Sequence, residues 1–263
     1  MKKTMIVAAA LATAVVAAPI TTHASRVGAP APDFKGTDSR GKVHNLSDFK
    51  GKWVVLEWHN EGCPYVRKHY GGNNMQKLQQ EWTAKGVVWL TILSSAAGQQ
   101  GHMEPAQANA HFAEKGAAPT AVLLDPSGDI GRLYDAKTTP HMFVINPDGM
   151  LVYNGAIDDK PTSDQADLAT ASNYVSAALT EGMAGKAVTT ATSRPYGCGI
   201  KYARLVGGGD GLRSKPVPRS RLGAPASPRG QRQPLAHPRR RLGRPESGVG
   251  QRRHDIARVR EDP

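Results

Sequence analysis

The sequence predicts an α/β domain with a mixed central sheet that helices flank and that a C-terminal β-hairpin and helix complete. Two apolar runs, residues 53–58 and 87–93, are typical of central strands that are covered on both faces. Helix-like segments alternate with these strands, whereas residues 142–153 are typical of an antiparallel pair around an Asn-Pro-Asp-Gly turn. Alternation favours parallel crossovers and the hairpin adds antiparallel pairing, so the sheet should be mixed.

The remaining elements follow from apolar spacing and from turn residues. Apolar residues at helical spacing predict a final long helix over 164–179, and Gly182 and Gly185 should stop it. The full series is an extended lead-in (25–34), a hairpin (34–36 with 42–46, turn 38–41), a turn (47–51), strands at 53–58, 87–93, 121–124, 142–145 and 150–153, and helices at 64–85 with a break at 71–74, 105–115, 130–134 and 164–179.

The N-terminus has the pattern of an export signal. Lys2 and Lys3 give a basic start, residues 5–18 are apolar and Ala-rich, and Pro19 ends the run. The run is too short to cross a bilayer comfortably. We therefore expect a signal peptide over 1–24, cleavage after Ala24, no membrane span in the mature chain, and a periplasmic or secreted protein.

The body, residues 25–202, is long enough for one domain with a hydrophobic core. Residues 203–263 differ: 14 Arg and one Lys against five acidic residues give this tail +10 of the +12 of the whole chain. The tail lacks aromatic residues and is rich in Pro and Gly, which predicts disorder. One interpretation is a basic arm for nucleic acid or anionic lipid. The other is a frameshift or missed stop after Tyr202, since the basic residue changes abruptly from Lys to Arg there.

The chain has two cysteines, and Cys63 has the context of an activated thiol. It follows the predicted strand 53–58 and precedes a predicted helix whose first turn accommodates Pro64. A helix N-terminus carries partial positive charge, so it favours thiolate over thiol. Arg67 or Lys68 would lower the pKa of Cys63 further if they folded back. Cys63 is therefore the candidate nucleophile, and a small buried residue is the alternative.

Four motifs carry a resemblance to a known family: Gly-Ala-Pro-Ala-Pro-Asp-Phe at 28–34, the strand, loop and cysteine at 56–69, Thr-Thr-Pro-His at 138–141, and Asn-Pro-Asp-Gly at 146–149. Together, over about 28–179, they resemble the thioredoxin superfamily and within it the exported, peroxiredoxin-like redoxins of the alkyl hydroperoxide reductase and thiol-specific antioxidant group. The resemblance implies a thioredoxin-like fold, antioxidant activity, a cis bond before Pro140, and substrate contacts at Pro64, Thr139 and Pro140.

The cysteine motif departs from the patterns of these relatives. Val66 stands where a C-x-x-C motif has its second thiol, and Arg67 stands where copper chaperones have theirs. The peroxiredoxin pattern Pro-x-x-x-Thr-x-x-Cys has Leu56 and Asn60 in its Pro and Thr positions. Asn60 can still donate a hydrogen bond to a peroxide oxygen, so Asn60 and Arg67 are candidate catalytic residues beside Cys63.

Cys198 is the only possible internal partner of Cys63. It lies between Gly197 and Gly199 in a predicted mobile loop after the last helix. An even pair of cysteines in an oxidising compartment suggests a disulfide, and closing this loop would restrict the unfolded chain by roughly 4 to 5 kcal/mol. Cys198 is thus either half of a structural disulfide or a resolving cysteine that captures oxidised Cys63.

No metal and no cofactor are predicted. His59, His69 and His141 should lie near Cys63, but a metal site needs three or four ligands in good geometry and hydrogen-bonded histidines are far commoner. The sequence contains no phosphate loop, dinucleotide fingerprint or Ser-His-Asp order.

The predicted function is that of a thiol oxidoreductase with peroxiredoxin-like antioxidant activity, which reduces hydroperoxides or disulfides through Cys63. Three alternatives stay open: a periplasmic thiol–disulfide exchange protein, a non-catalytic redoxin-fold binding protein with a structural disulfide, and nucleic-acid or membrane binding by the tail. The expected partners are a hydroperoxide or protein disulfide and an unknown thiol reductant. No nucleic-acid binding is expected from the folded body.

Overall fold

A computed structural model describes residues 25–204 of the chain; the predicted signal peptide and the predicted tail from residue 205 onward lie outside the described residues. The strands are β1 (Lys35–Asp38), β2 (Val43–Asn45), β3 (Val54–Trp58), β4 (Val88–Leu93), β5 (Ala121–Leu124), β6 (Thr138–Thr139), β7 (His141–Ile145), β8 (Leu151–Gly155) and β9 (Cys198–Gly199). The helices are α1 (Pro64–Gly71), α2 (Asn74–Ala84), α3 (Pro105–Glu114), α4 (Asp129–Leu133) and α5 (Tyr174–Met183).

Seven of the strands form one mixed sheet in the order β2-β1-β5-β4-β3-β7-β8. The central pairs β3–β4 and β4–β5 are parallel, whereas β7 lies antiparallel to both β3 and β8. This arrangement confirms the predicted α/β class with a mixed sheet, a C-terminal hairpin and a final helix. It also places the end of β3 opposite the start of β7, because Trp58 pairs with His141.

The continuous apolar character of β3 and β4 follows from burial on both faces of the sheet. Val55 and Trp89 face a core that includes residues of α1, α2 and α5, whereas Leu56 and Leu90 face a second core that includes residues of α4. All residues of both strands are buried. Burying a Leu or Val side chain contributes about 1.5–3 kcal/mol, so both cores hold β3 in place.

The predicted helix over 164–179 is wrong in its first half. Residues Gln165–Ala169 form a short 3-10 helix, and α5 begins at Tyr174. The reason is a local cap: the Asn173 side chain accepts a hydrogen bond from the Ser176 N–H at 2.8 Å, which starts a new helix there. Gly182 is the penultimate residue of α5, which continues to Met183.

Gly182 serves packing and Gly185 ends the helix. A Cβ at Gly182 would lie 2.3 Å from the Trp53 ring, so only glycine allows this contact. Gly185 has φ of +72° just after α5, which is the usual position of a helix-ending glycine.

Among residues 25–204, no helix combines the length and the apolar character that crossing a membrane requires.

Two buried histidines are held as neutral hydrogen-bonded rings. His69 on α1 contacts the Tyr196 hydroxyl at 3.2 Å and accepts from the Asn74 side chain at 2.9 Å. His141 donates to the Asn154 side chain at 2.8 Å. Burial lowers the pKa of each to about 4, so both are uncharged at neutral pH.

The free energy of unfolding should decrease as the pH falls from about 6.5 to about 4. In that window the unfolded chain protonates His69 and His141 while the folded chain does not, so the unfolded state binds more protons and gains stability. Each histidine should contribute up to about 3 kcal/mol of this loss. Urea unfolding at several pH values measures it, and His69→Gln or His141→Gln should flatten the dependence while His102→Gln should not. An unchanged slope in both variants would contradict the assignment.

Candidate active site

The loop between β3 and α1 holds Cys63 at the N-cap position of α1, with Pro64 as the first helical residue. The Cys63 N–H donates to the Asn60 carbonyl at 3.0 Å. The Asn60 side chain, fully buried, accepts from the Gly62 N–H at 2.8 Å and donates to the Gln100 carbonyl at 3.4 Å. The side chain of Asn60 is therefore engaged in shaping the loop that presents the thiol.

The loop before β7 lies against Cys63. The Thr139–Pro140 peptide bond is cis, as the resemblance implies. The Cys63 thiol donates to the Thr139 carbonyl at 3.0 Å. The register of β3 with β7 brings Cys63 close to Thr139, because the loop after β3 and the loop before β7 lie at the same end of these two paired strands.

Cys198 completes the site, and it does so from a strand rather than a loop. β9 pairs antiparallel with β6, with Cys198 opposite Thr139. The Cys198 N–H donates to the Cys63 Sγ at 3.4 Å, and the Thr139 hydroxyl donates to the Cys198 carbonyl at 3.4 Å. The predicted loop at Cys198 is thus wrong. The structure nevertheless brings Cys63, Cys198, Thr139 and Pro140 together, and it holds both cysteines as free thiols.

The C-terminal segment, defined here as residues 192–203, is tied down on both sides of Cys198. Before it, the Tyr196 hydroxyl donates to the buried carboxylate of Asp158. After it, the Lys201 carbonyl accepts from the Ala96 N–H at 2.8 Å, and the Tyr202 hydroxyl donates to the Ala136 carbonyl at 2.7 Å. These anchors fix the position of Cys198 although glycines flank it.

The two thiols differ in acidity. Burial raises the pKa of Cys63, but hydrogen bonds from the Cys198 thiol and from the N–H groups of Val66 and Cys198 outweigh burial and hold this pKa below its usual value. Burial, together with the neighbouring Cys63, raises the pKa of Cys198 to about 11. Because the thiolate is the nucleophile, Cys63 is suited to attack and Cys198 to react second.

The cationic residues after Cys63 bind other groups. Arg67 is exposed, and its Nε donates to the Glu61 carbonyl at 2.9 Å. Lys68 is buried, donates to the Lys160 carbonyl at 2.7 Å and lies 3.7 Å from the Asp158 carboxylate. Neither is among the principal groups that lower the pKa of Cys63.

Glu57 is a buried acid that the sequence analysis did not single out. It lies within β3, and its carboxylate accepts hydrogen bonds from Tyr70, Gln79, Trp89 and Thr91 at 2.8–3.0 Å. Burial raises the pKa of Glu57, but the nearby His59 and these donors hold it below its usual value. In the sequence, the signal for this role of Glu57 is an acidic residue inside an otherwise apolar strand.

Among residues 25–204, no three His, Cys, Asp or Glu side chains are arranged to hold a metal ion.

The fold, the position of Cys63 at the start of α1 and the cis-proline loop place the chain among the redoxins of the thioredoxin superfamily. The model of the AhpC/TSA family matches residues 27–154. This match includes Cys63 and ends before the C-terminal segment, so Cys198 lies outside the part of the chain that the family describes.

Similar proteins support the same class. The chain is 29% identical over 123 residues to the thiol-disulfide oxidoreductase ResA of Geobacillus kaustophilus, which covers 47% of this chain and 65% of that protein. It is 28% identical over 141 residues to ResA of Bacillus thuringiensis subsp. konkukian, covering 54% and 75%. A crystal structure of an uncharacterized conserved protein from Geobacillus kaustophilus superposes with a TM-score of 0.59 at 26% identity, over 68% of this chain and 93% of that one. The chain thus spans slightly less than two thirds of the first relative.

Gly197→Ala should separate the two cysteines without removing either. Gly197 has φ of +132°, and a Cβ there would lie 2.0 Å from the Thr139 carbonyl oxygen, so alanine must push β9 away from β6. We expect Cys63–Cys198 disulfide formation with oxidised glutathione to slow by about tenfold or more, since misplacement by 1 Å can cost about a hundredfold. Alkylation quenching and intact mass give the rate.

Gly199→Ala is the matched control for this variant. The nearest atom to a Cβ at Gly199 is the Lys137 carbonyl oxygen at 3.9 Å, so the strand can keep its place. Its rate should stay near that of the wild type. Equal rates for both variants would show that β9 does not position Cys198 for reaction.

Proposed function

We propose that the protein is a thiol–disulfide oxidoreductase in which Cys63 attacks a substrate disulfide and Cys198 resolves the product. One observation carries the proposal: the Cys198 N–H lies 3.4 Å from the Cys63 Sγ, on a strand paired with the cis-proline loop. The similarity to proteins named thiol-disulfide oxidoreductase supports it.

The reaction proceeds by two exchanges. The Cys63 thiolate attacks one sulfur of a substrate disulfide, which forms a mixed disulfide and releases the other substrate sulfur as a thiolate. Cys198 then loses its proton and attacks the Cys63 sulfur. The second substrate thiolate leaves, and a Cys63–Cys198 disulfide remains. The substrate has gained two electrons, and an external thiol reductant must return the enzyme to its dithiol form.

The second thiol of this enzyme lies on the C-terminal segment instead of on α1. Val66 occupies the position of the second cysteine of a C-x-x-C motif, and its buried side chain packs into the core. Cys198 therefore reaches Cys63 from β9, the strand that pairs with the cis-proline loop. This placement supports a role for Cys198 in resolution, because Cys198 lies next to Cys63 only while β9 is paired with β6.

Access to Cys63 requires movement of the C-terminal segment. The Cys63 side chain is fully buried, and β9 pairs with one edge of β6 and covers it. When β9 leaves, the backbone groups of Thr138 and Thr139 become free to pair with an extended peptide, as sheet edges do in peptide recognition. A protein disulfide on an extended segment fits this edge and is the proposed substrate.

Peroxide reduction is the second candidate, and the AhpC/TSA match favours it. In that reaction the Cys63 thiolate attacks a peroxide oxygen, an alcohol or water leaves, and Cys198 condenses with the sulfenic acid to give a disulfide and water. The Asn60 side chain, the predicted hydrogen-bond donor to a peroxide oxygen, is already engaged with Gly62 and Gln100. The disulfide reaction is therefore preferred.

Two cysteine variants test the proposal. Reduced Cys198→Ser mixed with a protein disulfide such as insulin should accumulate a mixed disulfide on Cys63, because the resolving thiol is absent. Cys63→Ser should form none, and the wild type should end as the internal disulfide with reduced substrate. Intact mass and non-reducing peptide mapping measure all three.

Parallel reactions with stoichiometric hydrogen peroxide distinguish the candidates. Fast oxidation by peroxide together with slow exchange with insulin would overturn the proposal in favour of peroxidase activity. A Cys63–Cys198 disulfide that resists mild reductants, with neither reaction in the reduced protein, would indicate the non-catalytic alternative.

We also infer that the mature protein begins at Ser25 and that its native sequence ends near Tyr202. The basic and apolar N-terminal pattern supports export to the periplasm or medium. Tyr202 packs against α4, which supports a domain end near this residue. N-terminal sequencing of the exported protein should give Ser25 first, and another reading frame of the coding DNA should hold a stop near codon 203. An uncleaved N-terminus or open alternative frames would contradict these boundaries.

A further inference from the structure

A cavity of about 380 Å³ lies beside the Cys63 loop. This volume falls within the range of about 300–1,000 Å³ that is usual for small-molecule sites. The loop, α1, α3 and the 3-10 helix at Gln165 form its walls. Its polar lining consists of His59, Glu61, Arg67, His111, Lys115 and Gln165.

The buried polar atoms that lack a hydrogen-bond partner are concentrated in this cavity. Six such side-chain atoms occur among residues 25–204, and four of them belong to its lining: both ring nitrogens of His59, Oε2 of Glu61 and Nε2 of His111. His59 is only 1% exposed. Because about nine in ten buried polar groups are paired in folded proteins, a cluster of unpaired ones marks a place where water or a ligand supplies the partners.

The charges of the lining indicate an anionic ligand. Arg67 and Lys115 are the exposed cations of the lining, and Glu61 is the one carboxylate among the lining residues. Lys115 pairs with Glu114 at 2.9 Å, so among residues 25–204 Arg67 is the lining cation without a carboxylate partner. Arg67 uses its Nε for the Glu61 carbonyl, so its terminal nitrogens can form the paired hydrogen bonds that a carboxylate accepts. His59 Nδ1 lies 3.8 Å from the buried Glu57 carboxylate, so Nε2 of His59 and Nε2 of His111 are the ring nitrogens that are left to contact a ligand.

We propose that this cavity binds a small organic acid that also carries a hydroxyl or amino group. The ligand carboxylate accepts hydrogen bonds from Arg67 and from the imidazoles, and its hydroxyl or amino group donates to Oε2 of Glu61. Val66 and the ring of Tyr70 provide apolar contacts for its carbon chain. The site is separate from the disulfide chemistry, although Glu61 and Arg67 belong to the loop and helix that hold Cys63.

NMR of the histidine rings in the reduced full chain tests the proposal. L-Malate and L-glutamate should each shift the ring signals of His59 and His111 saturably, with a Kd of about 1 mM or tighter, as ligands of this size allow. Succinate, which lacks the hydroxyl and amino groups, should bind more weakly. The signals of His102 and His141, outside the cavity, should stay in place.

His111→Ala should weaken L-malate binding by about tenfold, equivalent to the loss of one to two hydrogen bonds. His102→Ala is the matched control and should bind as the wild type does. Gln165→Ala provides a second cavity variant, should His111→Ala fold poorly. The proposal is overturned if none of the three acids gives saturable shifts, if 1,4-diaminobutane binds in their place, or if His102→Ala weakens binding as much as the cavity variants.

Discussion

The position of one sulfur atom depends on a short backbone pairing. The Cys63 thiol donates to the Thr139 carbonyl and accepts from the Cys198 N–H, so it contacts both strands of the β6–β9 pair. Without β9, Cys63 would lose a hydrogen bond that lowers its pKa and the nearby thiol that can resolve it. This pairing therefore links the acidity of the Cys63 thiol, its access and its distance from a second thiol.

Buried charge secures the C-terminal segment that carries this pairing. The Tyr196 hydroxyl donates to Asp158, which Lys68 and His69 of α1 approach at 3.7 and 3.9 Å. Undocking the segment would break the hydrogen bond from Tyr196 to this carboxylate, and a hydrogen bond to a charged group contributes about 1.5–3 kcal/mol. Opening the segment for a substrate therefore has a free-energy cost.

The fold and the helix that begins at Cys63 could be predicted because they rest on local patterns. The apolar runs at 53–58 and 87–93 mark the central strands, and the strand–loop–Cys63–Pro64 order marks the helix that begins at the thiol. The helix boundary at Asn173 was missed because its cap competes with an apolar spacing that continues through it. The role of Glu57 was missed because its four donors come from α1, α2 and β4 and meet only in the folded core.

By itself, the sequence determined the fold class and the place of Cys63 at the start of a helix, because hydrophobic periodicity and turn residues act within short stretches of chain. The cis-proline loop was expected from the resemblance of residues 138–141 to a known family. Only the tertiary structure decided the place of Cys198. It is 135 residues from Cys63, and its flanking glycines predict a loop. Its strand forms because Gly197 can approach the Thr139 carbonyl and because distant groups anchor Tyr196 and Tyr202. Such long-range contacts leave no periodic signal in the chain.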